Sequence, residues 1–325
     1  MNKLLFMKVC RSIGFCMAFF LLVQSYFQIA DRVVQAKAGL NTQEQLQMQF
    51  ENAVNREYDC LILGNSRTYR GINPDEMSVA AYNFSHDNDN YNQMYWKLMY
   101  LEENDIEFDS VILGTDYFMF SFLSDTRNEY YGALLPEAYL QDYTEEQYAS
   151  VQTEKKVWHE QMNDAFNAYV VRKFQQPLEY AVTTMAGKED QYIHLKNNGQ
   201  YVDPLHVATE ADTVQRDGQR LDIQEEYFSR ILAYCEEKGI SAVVVMPPVR
   251  DVEMANYSQE FLQEFDMYLE NTARQYGATV LNYSKDSQFK AMELFSDVTH
   301  LCPAGADLWT QKLDANLKAV SFYKP

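Results

Sequence analysis

The feature that most constrains the fold is a regular alternation of short apolar runs with longer amphipathic ones. Tyr58–Leu63, Ala80–Phe84, Ser110–Leu113, Ile240–Met246 and Ala278–Tyr283 read as strands. Tyr91–Asn104, Ile223–Lys238, Gln259–Tyr276 and Ala304–Ala319 read as helices. Gly239 and Gly277 stand at expected helix C-termini, each directly before a strand. Such alternation calls for a three-layer α/β/α domain with a central parallel sheet and helices on both faces. The runs at Ser110 and Ile240 are apolar throughout, as strands covered on both faces should be. Between about residues 117 and 221 the pattern breaks into tyrosine clusters, a helical section near Glu154–Phe174 and a polar tail. That stretch is far longer than an ordinary connection. We read it as an insertion over the C-terminal edge of the sheet, where open α/β sheets bind ligands.

The N-terminus has a different character. Ser12–Ala30 is a run of 19 uncharged residues with an apolar core at Ile13–Val23. As one helix it would span roughly 28 Å, about the hydrocarbon thickness of a bilayer. Lys3, Lys8 and Arg11 precede it. The expectation is one transmembrane helix within residues 1–35, a retained signal anchor that leaves the rest of the chain outside the cell membrane. A cleaved signal peptide is the rival, but Val34 and Ala36 lie a dozen residues past the apolar core. Residues 36–55, with Leu46, Phe50 and Val54 on one face, read as a juxtamembrane helix, and 56–325 as the main domain. Beyond the N-terminal segment only Cys60, Cys235 and Cys302 remain, an odd number with no CxxC, which supports neither a disulfide framework nor a metal cluster.

The 27 basic and 47 acidic residues give a formal charge of −20, and all but one of the acidic residues follow residue 35. Such a surface repels phosphate backbones, which argues against nucleic-acid binding. The 24 tyrosines suit neutral or weakly polar ligands such as sugars. There is no GxGxxG and no Walker lysine, so no nucleotide cofactor is expected, and no metal.

Two segments carry chemistry. In Leu63-Gly64-Asn65-Ser66-Arg67 an apolar strand runs into a turn that would hold Ser66 at the sheet's C-terminal edge, beside N–H groups able to stabilise an oxyanion. Far along the chain, Asp297-Val298-Thr299-His300-Leu301 places a carboxylate three residues before an imidazole, with Pro303 suited to open the last helix. A serine nucleophile needs a base, and the base needs an acceptor to set its tautomer. Ser66, His300 and Asp297 are therefore the candidate catalytic residues.

Together, Leu63-Gly64-Asn65-Ser66 and Asp297-x-x-His300-Leu301-x-x-x-Gly305 resemble the SGNH (GDSL-like) hydrolase superfamily. Within it, the chain looks like the membrane-anchored branch of D-alanyl-transfer (DltD-like) and exopolysaccharide O-acetylation proteins. The resemblance implies a serine esterase or O-acyltransferase acting outside the cytoplasm on acyl esters of cell-surface or secreted polysaccharide, with a multi-spanning membrane O-acyltransferase as partner. Two positions depart from the superfamily pattern. Asn88 stands where a glycine would donate an oxyanion N–H, leaving Asn88 or Asn90 to substitute. Asp116, in Gly114-Thr115-Asp116-Tyr117, stands where a donating Asn belongs, and an ionised carboxylate cannot donate. Arg67 and Arg70 either form a local positive spot for an anionic polymer or are ion-paired within the acidic surface. The departures motivate an alternative, a non-catalytic scaffold of the same fold that binds glycan or a membrane acyltransferase.

Overall fold

The structure, a computed structural model, describes residues 14–15, 17–26, 42–120, 131, 134–145, 148–149, 152, 194–196, 198–202 and 222–323. The chain divides into two compact units, the first Met1–Leu40 with Lys156–Tyr192 and the second Asn41–Lys155 with Ile193–Pro325.

In the first unit the described residues, 14–15 and 17–26, are helical. This corrects the expected anchor: among the described residues no helix is long and apolar enough to cross a membrane. Absence of charge had stood in for continuous apolar helix, and Gln24, Ser25 and Gln28 already interrupt it. The single-pass topology, the location inferred from it and the membrane-tethered partner lose their basis with the anchor.

The second unit is built on a five-stranded, all-parallel sheet in the order β2-β1-β3-β6-β7. Its strands are β1 (Cys60–Leu63), β2 (Ala81–Asn83), β3 (Ser110–Gly114), β6 (Ser241–Met246) and β7 (Thr279–Asn282). A small antiparallel hairpin pairs β4 (His194–Leu195) with β5 (Tyr201–Val202). Successive residues of a strand point to opposite faces, and the core divides accordingly. Leu61, Leu63, Val111, Leu113, Val244 and Met246 face a large cluster built with helices α1 (Thr42–Val54), α3 (Tyr91–Glu103), α4 (Asp222–Lys238) and α6 (Gln259–Gln275). Cys60, Ile62, Ile112, Val243 and Val245 face a smaller one with α7 (Pro303–Ala319), whose Trp309, Leu313 and Leu317 are fully buried. Two short helices, α2 (Ser66–Gly71) and α5 (Asp251–Met254), cap the C-terminal edge.

The central strands β1 and β3 are buried along their whole length, as their unbroken apolar runs require. Gly239 and Gly277 have φ of +67° and +68°, the left-handed exit that ends α4 and α6. Helix α1 packs into the sheet domain: Leu46 and Phe50 are buried, the Gln49 side chain donates to the Ser85 carbonyl at 2.6 Å, and Tyr82 Oη donates to the Gln49 carbonyl at 2.7 Å. Cys60, Cys235 and Cys302 are free and buried, and burial pushes the Cys60 and Cys235 thiols up to about 12. Most of the expected insertion, including Glu154–Phe174, lies outside the described residues.

Candidate active site

The strand order reverses between β1 and β3. The chain leaves β1 for the edge strand β2, then crosses back to β3 and continues outward through β6 and β7. A crevice at such a switch point is where open α/β sheets bind ligands, and Ser66 sits there as the first residue of α2. Asn65 caps this helix, its Oδ1 accepting the Arg67 N–H at 3.0 Å. Helix α2 rides unusually close to the sheet. A Cβ on Gly64 would lie 2.5 Å from Thr68 Cβ, and one on Gly114 would lie 2.0 Å from Thr68 Oγ1. The glycine after β1 and the glycine ending β3 together make the slot into which Thr68 fits.

The base comes from the loop between β7 and α7. Its conformation is fixed by the Ser296 N–H donating to the His300 carbonyl at 2.9 Å and by an isolated bridge between Phe295 and Leu301. Pro303 opens α7, and Gly305 lets that helix lie on the loop, since a Cβ there would fall 2.2 Å from the Leu294 carbonyl oxygen. Asp297 Oδ1 accepts the backbone N–H groups of Thr299 and His300, each at 2.7 Å. Its other oxygen, Oδ2, lies 2.7 Å from His300 Nδ1, and His300 Nε2 lies 2.9 Å from Ser66 Oγ. With the proton on Nδ1, Asp297 accepts from the ring and Nε2 is free to accept from the serine. Burial works against the Asp297 carboxylate, but the His300 bond and charge and the two backbone N–H groups outweigh it and hold the group well below the usual carboxylate range.

Asp116 and Arg67 have other engagements. Arg67 is buried, with Nη1 2.8 Å from Asp116 Oδ2 and Nη2 2.7 Å from Glu253 Oε1 in α5. The guanidinium also lies 5.0 Å from the centre of the Phe118 ring. Burial pushes the Asp116 carboxyl up to about 6, with Glu253 adding to the rise and Arg67 opposing it. Burial pulls Arg67 down, but the two carboxylates outweigh it. Asp116 therefore serves as a counterion to the residue that follows the serine. Both arginines are ion-paired, Arg67 beneath the surface rather than on it. Arg70 pairs through both nitrogens with Asp87, at 3.1 Å for Nη2 to Oδ2, and stacks 4.5 Å over the Tyr201 ring from β5. Asp87 is held low: burial opposes, while Arg70 and then the His86 and His300 charges lower it. Arg70, which pairs with Asp87, also donates to the Ser66 carbonyl at 3.5 Å, and the His86 N–H donates to the Gly64 carbonyl at 3.2 Å, so this loop lies against the Ser66 turn.

In this loop Asn88 has φ +61° and is exposed. Asparagine is among the few residues that tolerate this left-handed conformation, so it reproduces the backbone a glycine would adopt. Among the described residues its N–H has no hydrogen-bond partner. Asn90 is buried at the N-cap of α3, where its N–H donates to Gln93 Oε1 at 2.6 Å.

Glu253, Thr68, Lys97 and Tyr201 escaped the sequence reading. Each meets the site through a partner distant in the chain or through close packing, and neither leaves a local pattern. A separate cleft of about 530 Å³ lies at the opposite edge of the sheet, where Asp59, Asp109 and Ile240 precede their strands.

No curated protein matches the chain. Residues 140–312, which include Asp297 and His300 but begin well after Ser66, match the family described as DltD protein. That match covers more than half of the 325 residues, and the chain belongs to the DltD protein family.

Proposed function

We propose that the protein is a serine ester hydrolase or O-acyltransferase acting on acyl esters of a polysaccharide. The observation that carries this reading is the continuous path from Ser66 Oγ through His300, 2.9 Å at Nε2 and 2.7 Å at Nδ1, to Asp297. In the proposed reaction Ser66 Oγ attacks the acyl carbonyl while Nε2 takes its proton. Asp297 holds the imidazole in the Nδ1–H tautomer and steadies the imidazolium that forms. The oxyanion would be met by the Ser66 N–H and the Asn88 N–H, donors set before the charge develops. His300 then returns the proton to the leaving alcohol, and the acyl group on Ser66 passes to water or to a sugar hydroxyl. Asp116 takes no part as a donor.

Fluorophosphonate labelling of the full chain tests this reading, with wild type beside Ser66→Ala and His300→Ala. Labelling that needs both residues, together with turnover of p-nitrophenyl acetate, is the expected result. A folded wild type that neither labels nor turns over the ester would leave a non-catalytic binding frame.

A further inference from the structure

The loop joining β2 to α3 runs from Phe84 to Asn90, and a single buried ammonium ties its two ends. Lys97 Nζ donates to the Phe84 carbonyl at 2.6 Å and to Asp89 Oδ2 at 2.7 Å, and both charged side chains are fully buried. Asp89 Oδ1 accepts from Tyr131 Oη at 2.7 Å, and aromatic rings wall the ammonium, with Phe84 at 4.6 Å and Tyr131 at 5.0 Å. The intervening residues are held individually. The Ser85 carbonyl accepts from Gln49, the His86 N–H donates to the Gly64 carbonyl at 3.2 Å, and Asp87 is paired with Arg70. Asn90 is tied to Gln93. Asn88 is the exception, exposed and left-handed, its N–H unbonded among the described residues.

A fully buried ion pair is a weak source of stability, because desolvating two charges cancels most of their attraction, and an apolar pair of similar volume is often as stable. Its distinctive property is direction: an ammonium satisfied by two acceptors in a dry pocket fixes both of them in place. We infer that Lys97 and Asp89 are positioning residues that hold the β2–α3 loop so that the Asn88 N–H is aimed at the oxyanion; the inference rests on the ester chemistry proposed above. Lys97 touches no substrate and acts through the loop. The loop's other ties come from α1, α2, the β1 turn and, at its last residue, the first turn of α3, whereas the Lys97 bonds reach from the middle of α3 to both ends of the loop at once.

The test compares wild type, Lys97→Met and the double variant Lys97→Met with Asp89→Asn, using p-nitrophenyl acetate kinetics and melting temperature on the full chain. Lys97→Met alone strands a buried carboxylate and is expected to lower both stability and kcat. The double variant removes both charges. It should recover most of the lost melting temperature while kcat stays lower by on the order of tenfold to a hundredfold, with KM within twofold of wild type, because misplacing one group by about 1 Å has that size of effect. A double variant that regains both melting temperature and kcat would overturn the inference and leave the pair a packing feature. A loss appearing in KM alone would also overturn it. Failure of wild type to turn over the ester defeats the underlying reading of the site instead, so the two failures are distinguishable.

Discussion

Asp297 and Asp116 are both aspartates paired with a basic side chain near Ser66, yet their surroundings are opposite. The Asp297 side chain is half exposed, accepts two backbone N–H groups and a histidine, and is held low. Asp116 is sealed in, shares Arg67 with Glu253, and is pushed up. The solvated aspartate can stabilise a transient positive charge on its partner. The buried one faces a permanent guanidinium and fixes the position of the chain. The comparison teaches that proximity to Ser66 does not by itself set a carboxylate's state; hydration and the number of donors around it do.

Four measurements would break or sharpen that contrast, beginning with the largest. Asp297→Asn should leave the melting temperature nearly unchanged but cut kcat by on the order of 10⁴, because the imidazole loses the acceptor that sets its tautomer. Steady-state ester kinetics beside a thermal melt check both halves. Arg67→Met should show the reverse balance. It strands two buried carboxylates and is expected to remove about 3–5 kcal/mol of stability, read by denaturant unfolding. Were it to melt like wild type, the buried trio would not be what holds α2.

Asp116→Asn comes next, with a loss of about 1.5–3 kcal/mol for a bond to a charged group. It also carries the sharper functional test. If Asp116 occupied an oxyanion-donor position, the amide would raise kcat; as a counterion to Arg67, its replacement should give no gain.

The smallest effect concerns pH. His86 is buried in the β2–α3 loop, and burial first, then the Lys97 charge, holds it neutral down to about 4. Between roughly pH 6.5 and 4 the unfolded chain binds a proton that the folded chain refuses, so this contribution to stability falls on acidification. Asp89 and Asp116, both raised to about 6, act oppositely over roughly pH 4–6, because there the folded form holds the extra protons. His86→Gln should therefore lose less stability than wild type between pH 7 and pH 5, by on the order of 1–2 kcal/mol. Equal pH slopes for the two proteins would count against a neutral buried imidazole.

What could be read from the sequence was whatever is written locally. The five strands announce themselves as apolar runs, and the four long helices after them by their spacing. Asp297 and His300 share one loop, so their pairing needs only three residues of chain. Ser66 follows a strand and a glycine, a pattern contained in the five letters from Leu63 to Arg67. Arg67 was visible too, but its partners are 49 and 186 residues away, and nothing local distinguishes a buried arginine from a substrate-facing one. Asn88 departs from the superfamily pattern by its letter, and the letter does not show its φ of +61°. At the N-terminus a run without charge suggested a membrane-crossing helix, whereas among the described residues no helix is long and apolar enough to cross a membrane.

The slot formed by Gly64, Gly114 and Thr68 has an evolutionary consequence. Any side chain at either glycine collides with Thr68, so each position is closed to substitution while the threonine remains. Shrinking Thr68 first would open both. The three positions, on a strand exit, a helix and a neighbouring strand end, form one epistatic unit in which the order of mutation decides viability. A deep mutational scan in a Thr68→Gly background should find alanine tolerated at Gly64 and Gly114 and, in the Thr68 background, rejected. The orientation of the serine turn would then be inherited as a block of three residues, even while the surface around it drifts.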